Sequence, residues 1–404
     1  MTDYITIPQN LTSMKESAAR PIVLGYRRDI DGLRAIAVLL VIFYHIWGAS
    51  VPAGFVGVDV FFVISGYLIS SHLVAELEAG TFSLQTFYLR RIRRILPAFT
   101  VVLAVVAFVG YFILLPEDLL SVAQSMLAAT LSVSNVYFWK FINVGYFSTN
   151  AAALPLLHTW SLGIEEQFYL VWPLTLFLLF IGLKKFNSLN KGYLLFVTVF
   201  LAGTSYFLYY HFRAHEGLVF YLPMTRAFEL LSGAGLAIAW NKSQLPSRIV
   251  GNLLSIIGLV SIIYTANYLS PADFPSAYSL LPCLGAVLLI YSGKAGDILI
   301  NQFLSSRWLA FIGLISYSLY LWHWPIIAYV NYLRLEIEPY IGLLILLVSL
   351  FFSYLSWKYV EQPFRTKYKF GLGLSVFYFL IVPVILISAL STTKCNSGYK
   401  LSYS

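Results

Sequence analysis

The sequence predicts an all-α integral membrane protein with about eleven membrane-crossing helices, each roughly 17–22 residues long. Three observations carry this. Of 404 residues, 59% are hydrophobic and only 11% are charged, and the mean hydropathy is +0.78. Apolar runs long enough to span a bilayer recur from end to end, with no soluble-domain pattern between them. Lysines and arginines gather at the ends of those runs rather than inside them.

That last point disposes of one reading of the net charge. A formal charge of +8 suits a nucleic-acid binder, but basic residues flanking apolar segments are topology signals. The two cysteines, Cys283 in an apolar run and Cys395 in the tail, argue against a disulfide framework. Residues 1–29 are polar and lack a signal-peptide core, so they read as a cytoplasmic segment ahead of a retained signal-anchor.

Twelve apolar segments follow in order: 30–50, 54–74, 97–115, 119–139, 162–183, 192–211, 224–240, 248–268, 278–292, 308–330, 340–358 and 371–390. Arg27 and Arg28 set the N-terminus inside. Arg90, Arg91, Arg93 and Arg94 do the same for the loop after the second span. The third span exits near Pro116, and the next positive cluster, Lys184, Lys185 and Lys191, is again inside. Only an odd number of crossings fits between them, so one of two candidates does not cross. The weaker is 119–139, which carries Gln124 and Asn135; the whole stretch 119–158 reads as a re-entrant excursion on the outer face, tolerated where protein buries it. Lys242 and Arg248, Lys294 and Arg307, and Lys358, Arg365, Lys367 and Lys369 then alternate as inside loops. Of the 26 Lys and Arg residues, roughly 19 fall inside and roughly 5 outside, which puts the C-terminus outside. No internal repeat appears, against a secondary-transporter architecture.

Within the first span, Arg34 and His45 are eleven residues apart. Eleven steps of about 100° return to one helix face, about 16 Å further along. Ionisable groups at such depth are costly and mark function. The first two segments form a tight hairpin around Val51–Ala53, with His45 and Asp59 each seven residues from its midpoint. At similar depth, Asp59 could accept from the His45 ring and fix its tautomer.

A second constellation is Phe87-Tyr-Leu-Arg-Arg-Ile-Arg-Arg-Ile-Leu-Pro97. Its guanidiniums suit phosphate, and Arg91 and Arg94 share a face at i, i+3; a topology signal touching anionic lipid is the other reading. A third is Leu156-Leu-His-Thr-Trp-Ser-Leu-Gly-Ile-Glu-Glu-Gln-Phe-Tyr169, which sets His158, Trp160, Ser161, Glu165, Glu166 and Gln167 at the entry to a span. Carboxylates there would also serve the helix dipole. Arg226 and Glu229, at i, i+3, are a further pair that buried charges would use to neutralise each other. His323, in Ser316-Tyr-Ser-Leu-Tyr-Leu-Trp-His-Trp-Pro325, fits an interfacial aromatic belt or a site. His72, His211 and His215 read as ordinary span-end residues.

Taken in order, these motifs resemble the acyltransferase 3 family of membrane acyltransferases, which includes bacterial O-antigen and peptidoglycan O-acetylases. The resemblance covers residues 24–368. It rests on Tyr26-Arg-Arg-Asp-Ile-Asp-Gly-Leu-Arg34, the Arg–ten residues–His pair ending at His45, and Gly54-Phe-Val-Gly-Val-Asp-Val-Phe-Phe-Val-Ile-Ser-Gly66. The Arg-rich stretch before Pro97, the His158–Tyr169 and Ser316–Pro325 segments, and Tyr359-Val-Glu-Gln-Pro-Phe364 complete it.

The resemblance implies a ten-helix membrane domain over 30–368. It also implies transfer of an acyl group, usually acetyl, from cytoplasmic acetyl-CoA to a carbohydrate hydroxyl on the outer side of a bacterial inner membrane, with no metal. The family's Arg–His motif falls on Arg34 and His45, and its Arg-x-x-Arg motif on Arg91 and Arg94. The expected catalytic set is therefore His45, Asp59, Arg34 and Glu165. The expected donor-binding set is Arg90, Arg91, Arg94 and Arg34. His158, Trp160, Ser161, Glu166, Arg226, Glu229 and His323 are candidate acceptor contacts. The expected acceptor is a surface glycan such as lipopolysaccharide O-antigen. Some members add a final span and a periplasmic esterase-like domain. Residues 369–404 supply the span and a short periplasmic tail, and no Gly-Asp-Ser nucleophile block is visible; a member lacking that domain and a truncated chain both fit. The rival class is a transporter or flippase for a lipid-linked sugar, in which the buried charges would form a proton relay.

Overall fold

The computed structural model describes residues 25–142, 151–185, 191–239, 246–269, 274, 277–296, 298–368 and 370–387. Cys395, Lys242 and the expected tail lie outside them. No strand occurs among the described residues.

Helix α1 is Arg28–Trp47 and α2 is Gly57–Glu78, joined by a tight turn containing the short helix Gly54–Val56. The tip of this hairpin is fastened by Ala53 N donating to Ala266 O at 2.9 Å. The next helix departs from expectation. Ser83 caps it by accepting from Thr86 N, and α3 runs Leu84–Ile113, beginning thirteen residues before Pro97. The arginine cluster is thus the first turns of a helix and not a loop, because Ser83 caps the helix ahead of it and no glycine or proline interrupts the run before Pro97.

The segment at 119–139 breaks into α4, Pro116–Thr130, and the single turn α5, Ser134–Tyr137, with Ser132 at φ 58° between them. At 15 residues, α4 is shorter than the ~20 a crossing helix needs. The turn after it is tied into the protein by polar side chains. Ser134 Oγ donates to Thr159 O at 2.8 Å, Asn135 Nδ2 to Tyr221 O at 2.9 Å, and Gln167 Nε2 to Ser132 O at 2.7 Å.

Then come α6 (Thr159–Lys185), α7 (Lys191–His211), α8 (Glu216–Tyr221), α9 (Pro223–Ala239), α10 (Arg248–Tyr268), α11 (Leu280–Ser292), α12 (Leu299–Leu304) and α13 (Arg307–Tyr332). Helix α14, Pro339–Ser356, continues through a π-turn, Trp357–Glu361, into α15, Gln362–Thr366. The last helix spans Leu372–Ile387. Among the described residues, eight helices are long and apolar enough to cross a membrane. The other three expected spans, at α9, α11 and the last helix, are shorter.

The helices pair as α1 with α13, α2 with α9, α7 with α9, and α10 with α11. Lipid tails are as apolar as leucine, so such pairs depend on close backbone approach at small residues. Gly66 and Gly233 serve α2 and α9: a Cβ on Gly66 would collide with Leu230 O, and one on Gly233 with Val63 O. This tight crossing decides which face of α2 looks toward α9.

Candidate active site

A cavity partly open to the outside lies among α1, α2, α3, α6 and α13. Arg34, Arg91 and Arg94 line it from α1 and α3, facing Glu165 and Glu166 on α6. Arg34 Nη1 lies 3.3 Å from Asp31 Oδ1, and Asp31 Oδ2 accepts from the Tyr26 hydroxyl at 2.7 Å. Burial, then the bond to Asp31, pushes the Tyr26 hydroxyl up to about 12, so it remains a donor. The Arg91 guanidinium stands 5.7 Å from the Phe87 ring centre and 5.6 Å from that of Tyr169. Glu165 accepts from Ser65 Oγ and from the Tyr169 hydroxyl, both at 3.0 Å. Tyr317 donates to Ile95 O at 2.9 Å and bolts α13 to α3.

Arg34, Arg91 and Arg94 thus line one cavity, Arg91 and Arg94 from the single helix face their i, i+3 spacing gives. Arg90 is not: it is exposed and paired with Glu76 at 2.7 Å. On a helix, Arg90 and Arg91 point about 100° apart, so only one of them can face the cavity. Arg93 turns away as well, donating to Phe370 O.

Behind one end of the cavity lies a histidine cluster. His45 Nδ1 is 3.2 Å from His323 Nε2, and the two rings stack at 5.4 Å between centres. His323 Nδ1 lies 2.8 Å from Tyr320 O and 3.2 Å from Leu319 O. A carbonyl only accepts, so His323 carries its proton on Nδ1. Its Nε2 then offers a lone pair to the Nδ1–H of His45, which leaves the basic lone pair of His45 on Nε2. The His158 ring is 5.9 Å from that of His323, and neither of its nitrogens has a hydrogen-bond partner among the described residues. Trp324 packs edge-on to His45 at 4.5 Å, with its Nε1 held by Leu154 O.

Three expectations part from this geometry. Asp59 does not take the orienting place on His45. It is 1% exposed and bound by Arg226, Nη2 to Oδ1 at 2.5 Å, while Arg226 Nη1 lies 3.1 Å from Glu229 Oε1. Counting residues in the hairpin bears on depth alone; rotation is set by the glycine-mediated α2–α9 contact. Four rings, Phe62, Trp160, Phe220 and Phe274, surround the Arg226 guanidinium at 5.3–5.8 Å. Trp160, Arg226 and Glu229 therefore belong to a buried structural knot and do not line the cavity. The belt reading of His323 also fails, since its side chain is fully buried. Ser161 and Glu166 line the cavity, and His158 joins the histidines.

Sequence reasoning missed Tyr320. Its hydroxyl lies 2.7 Å from Ser161 Oγ and donates to His158 O at 2.9 Å. It sits three residues before His323 on one helix turn, a signal overshadowed by the histidine. Glu361, at the π-turn, was quoted only as part of a motif; it accepts from Ser318 Oγ at 3.3 Å and pairs with Arg365 at 3.3 Å. Among the described residues, no group of three or more His, Cys, Asp or Glu side chains is arranged to hold a metal ion.

A helical membrane protein with guanidiniums at one end of a cavity and an oriented histidine pair behind the other has the parts of a membrane-embedded group-transfer enzyme. Comparison with known proteins says which kind. The profile of a family described as an acyltransferase domain matches residues 27–358, and the chain belongs to this acyltransferase 3 family. It is 35% identical over 355 residues to the peptidoglycan O-acetyltransferase OatA of Listeria monocytogenes, covering 84% of this chain and 56% of that protein. It is 35% identical over 372 residues to the O-acetyltransferase OatA of Staphylococcus aureus, covering 88% and 59% respectively. The chain spans less than three-fifths of the length of the curated relatives it matches. No solved structure matches it.

Proposed function

We propose that this protein transfers an acetyl group from acetyl-CoA, bound from the cytoplasmic side, to a hydroxyl of a cell-envelope glycan on the outer side. The observation that carries the reading is the continuity of the two half-sites. The cavity lined by Arg34, Arg91 and Arg94 is also lined by Tyr320, whose backbone carbonyl anchors His323 and, through it, His45. The names of the relatives favour peptidoglycan over the O-antigen expected from the resemblance. The protein sits, on this reading, in a bacterial inner membrane with its N-terminus cytoplasmic, in accord with its basic-residue asymmetry.

Arg91 and Arg94 hold the donor's phosphates, where planar guanidiniums bind bidentately and stay charged. Arg34 lies deeper and steadies the donor's polar arm. The acceptor hydroxyl oxygen attacks the thioester carbonyl carbon. His45 Nε2 takes the hydroxyl proton, a C–O bond forms, the C–S bond breaks, and the departing sulfur is protonated to the free thiol. His323 takes the orienting part expected of Asp59, by fixing the tautomer that leaves Nε2 basic. General-base help is worth about 10²–10⁴ in rate.

The test is acetyl incorporation from radiolabelled acetyl-CoA into peptidoglycan by the purified protein and by His45→Ala. A loss of about 10²-fold or more in a variant with unchanged unfolding temperature supports the assignment. Acetylation near the wild-type level would sink it, and substrate flux without acyl transfer would return the transporter.

A further inference from the structure

We infer that Tyr320 is the specificity-determining partition between the donor cavity and the histidines, and that it sets the length of acyl chain that can pass. This deepens the proposed transferase reading and rests on it.

Three observations converge. Tyr320 is 7% exposed and lines the cavity together with Ser161, while none of His45, His158 and His323 does. Its ring lies 5.5 Å from His158, 5.4 Å from His323 and, edge-on, 6.4 Å from the cavity-lining Phe61. One side chain therefore touches both the arginine-lined space and the histidine cluster. Its hydroxyl is held at two points, by Ser161 Oγ at 2.7 Å and His158 O at 2.9 Å.

This arrangement is closed but breakable. Neutral hydrogen bonds are modest in net strength, and swinging an aromatic side chain between rotamers needs no backbone movement. A thioester reaching His45 must displace the ring, and Phe61 bounds the gap that opens. A two-carbon acyl group asks for a smaller displacement than a four-carbon one. Between turnovers the closed ring keeps outer-face water off the thioester. Otherwise water attacks the carbonyl carbon, a C–O bond forms, the C–S bond breaks, and the products are acetate and free CoA thiol.

The geometry separates this role from that of the base. His323 is anchored by the backbone carbonyl of Tyr320, which every substitution retains. Tyr320→Ala removes the partition and Tyr320→Phe removes only its hydroxyl, so neither deletes the anchor of the His45–His323 pair.

The experiment uses the whole chain in detergent and measures CoA thiol release from acetyl-CoA and from butyryl-CoA, with and without soluble peptidoglycan fragments. Tyr320→Ala is expected to raise the butyryl-to-acetyl ratio about ten-fold, the scale on which a pocket discriminates one or two methylenes. It should also raise acceptor-independent release several-fold. Tyr320→Phe is expected to raise acceptor-independent release with little change in the ratio. Folded variants that bind acetyl-CoA as wild type does, and keep both quantities within two-fold of it, overturn the partition. If Tyr320→Ala does not fold, release by Tyr320→Phe decides. Wild-type protein that binds no acetyl-CoA would overturn the transferase reading itself, and the partition with it.

Discussion

His45 Nδ1 and His323 Nε2 are 3.2 Å apart, and the far nitrogen of His323 rests 2.8 Å from a backbone carbonyl of its own helix. On the proposed reading, the place a carboxylate takes in a triad is filled by a neutral imidazole and a carbonyl. A neutral orienter fixes the tautomer without adding a buried charge, but it stabilises the imidazolium less than a carboxylate would.

His323→Ala should therefore lower kcat by about 10-fold or more while leaving donor affinity unchanged, a milder loss than the roughly 10²–10⁴ range for removing the base itself. Steady-state acetylation together with calorimetric titration of acetyl-CoA checks both halves. Unchanged kcat would show that the His45 tautomer is set elsewhere.

The arginines on α3 should divide by facing. Arg91→Ala and Arg94→Ala are each expected to weaken acetyl-CoA binding about 10-fold or more, from loss of charge-assisted hydrogen bonds. Arg90→Ala should change little, since its exposed pair with Glu76 is of a kind worth under about 1 kcal/mol. Equal effects from all three would reduce the cluster to a general positive field.

Asp59→Ala should act on stability. Arg226 is about 2% exposed, and removing one partner of a buried pair costs on the order of 3–5 kcal/mol. Thermal unfolding in detergent should show a clear fall in midpoint, with donor affinity of the folded protein retained. A variant with the wild-type midpoint and no turnover would return Asp59 to the chemistry.

Gly233→Leu should prevent assembly of the bundle, because even a Cβ there meets the Val63 carbonyl. Size-exclusion profiles in detergent would read this as loss of the monodisperse peak. A folded, active variant would mean that α2 and α9 can part without cost.

Much of this was legible in the chain. Arg91 and Arg94 could be paired because helical periodicity is a local property, whereas Arg34 joined them only through the family resemblance. The polar content of 119–139 marked it as the weakest candidate for a crossing. The partner of Asp59 could not be read. Depth follows from counting residues, whereas facing follows from which helix a neighbour's glycines admit. Arg226, which binds it, is 167 residues away in sequence.

The sequence alone determined a helical membrane protein, its motif order and the shared helix face of Arg34 and His45, because hydropathy and 3.6-residue periodicity act over short range. Tertiary structure decided which polar groups meet. It gave Asp59 to Arg226 and His323 to His45, and set Tyr320 beside both the cavity and the histidines. Those pairings depend on the rotation of one packed helix against another, which no single helix encodes.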